Sequence, residues 1–368
     1  MEDRIFDYWA ATLQDGYIGN IIDIVSLAGG ARALYEMSEN HMPAVLGITP
    51  KLAGYIEEHR IPFEMLEREY YSLADKGISY VNHTDPDFPD KLRNIQSMPY
   101  GLFVKGSLPP TGAPSVAVIG ARQCSEYGRL MAQFFGGRLA KEGVSVISGM
   151  AWGIDGIAQE AAVDAGGKSF AVLGCGVDIT YPVKNRPLYR KLCENGNGII
   201  SEYAPGTAAI ARKFPPRNRI ISGLCDVLIV VEARAKSGTL ITVDMAIEQG
   251  RTVMVVPGRL TDSLSAGCIN LLYQGARPAT GIQAVLTQLG IGRQITLADC
   301  IKLKEESLPK DLETVLSLLS QDPVTAEKIA DMTGLDLTSV MIILTQLEMD
   351  GMVREIWPQS FVRTPGFA

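Results

Sequence analysis

The chain is short of the residues most often recruited for catalysis and metal binding. Its three histidines, His41, His59 and His83, all fall in the first hundred of 368 residues. A histidine-centred acid–base mechanism in the glycine-rich middle of the chain therefore has little raw material. The six cysteines, Cys124, Cys175, Cys193, Cys225, Cys268 and Cys300, stand apart with no CxxC pair. That spacing argues against a zinc site and offers no disulfide framework, so a reducing compartment is the simpler reading. No apolar run approaches the roughly 20 residues that a membrane span needs. The N-terminal MEDRIFDYWA carries acids where an export signal would carry an apolar core. The expectation is a cytoplasmic protein with no membrane partner, no metal and no cofactor.

With 46% hydrophobic and 20% charged residues, the chain can bury a sizeable core, and its length fits two or three domains. The net charge of −7 is unevenly spread. Residues 1–113 hold 9 Lys+Arg against 16 Asp+Glu, residues 114–290 hold 18 against 13, and residues 291–368 hold 7 against 12. A basic middle between acidic ends points to an anionic ligand for the middle.

The organisation follows from periodicity and punctuation. Residues 1–70 read as short helices, among them Asn20–Leu27, Ala31–Met37 and Pro50–Glu58, the last with Thr49 as N-cap and Pro50 in the first turn. This is a helical, helix-hairpin-like domain, which either touches DNA or, given its acidity, only packs. Residues 71–114 are proline-rich and read as a linker with leading strands at Ile78–Val81 and Leu102–Val104. From residue 115 to 290, apolar runs recur at Val116–Ile119, Val144–Ile147, Phe170–Leu173, Gly198–Ile200, Val227–Val231 and Val253–Val256. Helical segments at Tyr127–Lys141, Asp155–Ala165, Pro187–Asn195 and Leu240–Gln249 separate most of them. The pattern is that of an α/β domain with a Rossmann-like, mostly parallel sheet covered on both faces. After a second linker over 291–309, residues 310–368 read as three helices and a hairpin, a winged-helix-like domain. Its third helix, in LDLTSVMIILTQLEMD, has three acids and no base, which suits protein contact or regulation better than a phosphate backbone.

Ligands of such sheets bind at the carboxyl ends of the strands, so the loops there select the candidate residues. Gly120 and Arg122 follow the first of these strands, Ser148 and Gly149 the second, Gly174 and Gly176 the third. Ser237, Gly238 and Thr239 open a helix after the fifth, where hydroxyls and free N–H groups converge. The complete GxGxxG of dinucleotide folds is missing, as is an acid closing the second strand, so a nicotinamide cofactor is not expected. Asp155 reads as an N-cap. Trp152 reads either as a base-stacking side chain or as a cover for the sheet edge. Cys175 has no neighbouring activator. The segment ARKFPPRNRIISG (211–223) carries Arg212, Lys213, Arg217 and Arg219 around Phe214 with no acid. Cations interleaved with an aromatic supply both phosphate neutralisation and a stacking platform.

Taken in order, GARQCSEYG, SGMAWGIDGIAQEAA, GCGVDITYP, SEYAPG, FPPRNRIISGL, VVEARAKSGTLITVDMA and VPGRLTDSLSAGCINLLYQGA resemble the DNA-processing protein A family (DprA/Smf) over roughly residues 75–285. The resemblance implies a protein that binds and protects incoming single-stranded DNA in natural transformation and assists loading of the RecA recombinase. It also implies a homodimer formed through the Rossmann-like domain. It places DNA contacts at Arg122, Phe214, Arg217 and Arg219, to which charge and adjacency add Lys213, Arg212 and Asn218. Two other readings stay open. One is a sensor that binds a small nucleotide. The other is a nucleoside-monophosphate phosphoribohydrolase-like enzyme, with Glu232 as its candidate acid.

Overall fold

Successive residues of a strand face opposite sides of a sheet. Val116 and Val118 point into one apolar layer and Ala117 and Ile119 into the other, and all four are buried. A strand that is apolar on both faces needs helices on both, which is the arrangement found. The computed structural model describes residues 2–14, 21–291, 310–320, 322–349 and 351–364.

Residues 1–289 form one compact unit. Helices α1 (Glu2–Thr12), α2 (Ile21–Ala28), α3 (Ala31–Glu36), α4 (Met42–Leu46), α5 (Pro50–Glu58) and α6 (Phe63–Asp75) precede β1 (Ile78–Asn82), α7 (Asp90–Arg93) and β2 (Gly101–Gly106). There follow β3 (Ser115–Ile119), α8 (Glu126–Lys141), β4 (Ser145–Ser148), α9 (Ile154–Asp164), β5 (Ser169–Val172), α10 (Arg186–Leu192) and β6 (Gly198–Ser201). The unit closes with α11 (Phe214–Leu224), β7 (Val227–Val230), α12 (Gly238–Glu248), β8 (Thr252–Val255), α13 (Ala266–Tyr273), β9 (Arg277–Pro278) and α14 (Ile282–Gln288). The strand order is β1-β2-β6-β5-β4-β3-β7-β8-β9. Pairing is parallel from β6 through β9, and β1–β2 and β2–β6 are antiparallel. The mostly parallel, Rossmann-like sheet is therefore present. Chain order reverses at β3, flanked by β4 on one side and β7 on the other, which is the topological switch point where such sheets hold ligands.

The N-terminal helices and the sheet share a core. Trp9, Leu34 and Ile56 lie in one apolar cluster with Phe103, Ala171 and Ile199. The packing therefore does not break at residue 70 or 114, and the strands expected within a linker instead extend the sheet by antiparallel addition. Thr49 caps α5 as expected, its hydroxyl accepting the Leu52 N–H at 3.3 Å.

The segment 211–223 departs most from expectation. It is a short turn (Ala211–Lys213) running into helix α11, not a basic loop. Pro215 and Pro216 stand in the first helical turn, where no backbone N–H is required.

The second unit, residues 290–368, contains α15 (Lys310–Leu318), β10 (Val324–Thr325), α16 (Ala326–Thr333), α17 (Leu337–Met349), β11 (Val353–Trp357) and β12 (Ser360–Arg363). Its strands pair in the order β10-β12-β11. Val315, Ile329, Val340, Leu344 and Phe361 form its core. Three helices with a small sheet are the winged-helix arrangement expected. The 292–309 part of the expected linker, with Cys300, and the first residue of the Asn20–Leu27 helix lie outside the described residues, as does the hairpin beyond residue 364.

Candidate nucleic-acid interface

At the switch point the β3–α8 loop, the start of α11 and the start of α12 enclose a cleft of ≈ 270 Å³. It is bounded by Gly120, Arg122, Phe214, Asn218, Ser237, Gly238 and Thr239, with Asp155 and Arg217 beneath. Of the sequence-derived candidates, these are the ones the fold brings together.

The floor holds two buried charges, Asp155 and Arg217, each bonded to the Gly149 backbone. Asp155 stands in the first turn of α9, one residue past its start, so Gly153 is the N-cap and Asp155 is not. Its carboxylate accepts the Gly149 N–H at 3.1 Å. Burial raises its pKa above the ordinary carboxylate value, and the Arg217 charge and the Gly149 N–H partly offset that rise. Arg217 is 4% exposed; its Nη1 donates to the Gly149 carbonyl at 3.1 Å and also to the Val172 carbonyl. Burial lowers its pKa to about 10, against the opposing pull of Asp155. It stays charged at neutral pH. Gly149 is the residue that permits this: a Cβ there would stand 2.8 Å from Arg217 Nη1 and 2.9 Å from Asp155 Oδ2.

The basic segment is thus divided by the helix that carries it. Arg217 faces inward as the cleft floor. Arg219 turns away, held bidentate by Glu202 at 2.7 and 2.6 Å and donating to the Ser97 carbonyl at 2.7 Å. Lys213 is buried with its Nζ 4.9 Å from the Tyr203 ring centre. Neither Lys213 nor Arg219 borders the cleft. Of the cations around Phe214 expected to neutralise phosphate, Lys213, Arg217 and Arg219 are occupied by protein partners. Arg212 is exposed. Asn218 accepts the Arg217 Nε–H at 3.2 Å. Phe214 is half-buried against Tyr181, ring centres 5.3 Å apart, with Tyr181 itself 42% exposed.

On the opposite wall, Ser237 caps α12, its hydroxyl oxygen accepting the Thr239 N–H at 3.2 Å. Nothing lies within 4 Å of a Cβ built on Gly238, so this helix end faces open space. Arg122 is exposed beside it and pairs with no carboxylate among the described residues. Ser148 is buried and donates to the Val118 carbonyl at 2.6 Å. Gly174 and Gly176 are buried too, and Cβ atoms there would meet Phe214 and Asp178. These three, with Gly149, shape the loops from behind and do not bare backbone to the cleft.

Two groups weighed for chemistry are also accounted for. Glu232 is 1% exposed, and its carboxylate accepts both the backbone N–H of Ser125 at 3.0 Å and the Ser125 hydroxyl. Ser125 in turn caps α8, so this acid braces a helix start. Burial pushes the Cys175 thiol up to about 11, far from nucleophile range. Tyr181, the ring beside Phe214, and Arg234 and Lys236, both exposed in the β7–α12 loop, were not singled out in the sequence. The position of these two at a strand's carboxyl end was the available signal.

Comparison with known proteins agrees with this architecture. A family model for DNA recombination-mediator protein A matches residues 79–290, and one for the DprA winged helix domain matches residues 302–356. DNA processing protein DprA of Streptococcus pneumoniae is 40% identical over 62% of this chain and 83% of its own length. Protein Smf of Escherichia coli is 34% identical over 75% of each. The solved structure of the S. pneumoniae protein superposes with a TM-score of 0.66 at 33% identity, over 78% of this chain and 97% of that one. A structure describing the single-stranded DNA binding mode of DNA processing protein A from Helicobacter pylori gives 0.51 at 29% identity, over 58% and 95%. With more than half of its length matched by the family model and its site at the switch point of the matched domain, the chain belongs to the DNA recombination-mediator protein A family.

Proposed function

We propose that this protein binds single-stranded DNA in the switch-point cleft, protects it, and assists its loading onto RecA during natural transformation, acting in the cytoplasm as a homodimer. The observation that carries the DNA reading is the cleft itself. An exposed Arg122 and the open N-terminal end of α12 supply positive potential on one side, and the half-buried Phe214 supplies a stacking ring on the other. The H. pylori relative, described with single-stranded DNA, supports the same ligand class. Its membership of a recombination-mediator family supports the hand-over to a recombinase. No helix among the described residues is long and apolar enough to cross a membrane.

The reading is non-catalytic. The bracing of Glu232 by Ser125 disfavours the hydrolase alternative, because a carboxylate so held is not presented to a sugar. The test is a mobility shift with single- and double-stranded oligonucleotides across salt concentration. Preferential single-strand binding that weakens with salt is expected. Equal or absent binding of both, or release of free base from nucleotides, would overturn it.

A further inference from the structure

Arg122 borders a second cleft, of ≈ 380 Å³, whose other wall carries Trp152 and Lys184. That volume is in the range of small-molecule sites. Trp152 is 50% exposed, so it does not cover the sheet edge. The loop that carries the ring is pinned from both sides, so Trp152 is held in place half in water. Gly153, at φ +86°, packs so tightly on the β3–α8 loop that a Cβ would stand 2.3 Å from the Ala121 carbonyl and 2.4 Å from that of Arg122. The Ile154 N–H donates to the Ala121 carbonyl at 3.2 Å. From the other side, Asn185 Nδ2 donates to the carbonyls of Met150 at 2.9 Å and Ala151 at 3.2 Å. The residue before Asn185 is Lys184, whose Nζ lies 5.2 Å from the Trp152 ring centre. The acid on this wall, Glu160, is paired with Lys191 at 3.4 Å.

We propose that Trp152 is a second base-stacking platform. On this proposal, which rests on the single-stranded DNA reading above, a strand leaving the Phe214 cleft passes Arg122 and stacks its next unpaired base on the indole, while Lys184 meets the adjoining phosphate. The two aromatics lie in clefts that share one arginine, so a single bound strand can use both. Neither residue belongs to the basic segment, so this subsite extends the DNA track beyond the switch point.

The experiment titrates full-length protein with oligo(dT) and follows both anisotropy and tryptophan emission. A stacked base contributes about 1–3 kcal/mol, or roughly 5- to 140-fold in affinity. Trp152→Ala is expected to lose affinity in that range, whereas Trp152→Phe keeps most of it. With Trp357, 64% exposed in the second unit, replaced by Phe in both proteins, emission falls on binding and falls less once Trp152→Phe is added, since the remaining Trp9 is 1% exposed in a core. Lys184→Ala lowers the dependence of log K on log salt by about 0.7, the value for one single-strand phosphate contact. If the wild type binds and Trp152→Ala binds equally well, or quenching is undiminished in Trp152→Phe, the subsite is overturned and the Phe214 cleft stands. If the wild type does not bind single strands at all, both fall.

Discussion

Residues that look alike in the sequence take different roles once the helix is formed. Arg122 and Arg217 both border the cleft, but one is solvent-facing and the other is buried in its floor. Arg122→Ala should leave the melting temperature near wild type and cut single-strand affinity, with the salt slope smaller by about 0.7; mobility shifts at several salt concentrations check this. Arg217→Ala leaves the buried Gly149 and Val172 carbonyls without that donor, at about 1–3 kcal/mol each, and removes the charge nearest the buried Asp155, read as a fall in the midpoint of thermal or urea unfolding. A loss of binding by Arg217→Ala therefore reports on the fold before it reports on DNA. Asp155 makes a signed prediction. Its folded-state pKa lies above the ordinary 3.8, so between the two values the folded protein holds the extra proton. Stability relative to Asp155→Asn should then rise as pH falls toward 3.8, seen in paired melts across that window. The type and order of these residues were legible in the sequence. Which way each one faces was not, because the two prolines hid the helix that sets the 3.6-residue period.

At the scale of elements, the loops after β3, β4 and β5 are welded by backbone contacts, and caps set the helices that follow. Ser125 caps α8 and is itself gripped by Glu232. Ser125→Ala should destabilise the protein by about 1 kcal/mol or somewhat more, and Glu232→Gln by a similar order. Neither should alter the salt dependence of DNA binding, so denaturant melts and mobility shifts together separate bracing from ligand contact. The strands themselves were plain in the sequence, since each apolar run between Val116 and Val256 became one within a residue or two. Helices α1 and α6 were less evident: their apolar faces close on the sheet and on each other, a tertiary fact that a local window does not contain. Strands β1 and β2 were read as strands but within a linker, because the strand that joins them to the sheet, β6, which pairs with β2, is about a hundred residues away.

For the whole molecule, the site lies entirely within residues 1–289, and the second unit has a core of its own. A chain ending at residue 289 should therefore keep its single-strand affinity, and the isolated second unit should not shift duplex DNA, since no Lys or Arg lies in α17; mobility shifts with each fragment test both. The charge partition that first pointed to the middle segment overstated its reach, because Arg219 is neutralised by Glu202 and Lys213 and Arg217 are buried. Arg122 and Lys184 remain exposed at the two clefts, and Arg212, Arg234 and Lys236 are exposed elsewhere in the same unit. The sheet's margins carry a separate consequence. On one side β9 is two residues long and ends in Pro278, which has no N–H to offer. On the other, Arg4 donates to the Tyr80 carbonyl at 3.2 Å and Asp85 accepts the Asn82 N–H at 2.8 Å, so side chains occupy two backbone groups of β1. A sheet terminated in this way gives a second copy a poor template for strand addition. Crowding on one DNA molecule should therefore produce stacked or paired globules joined through helical faces, and not fibrous aggregates.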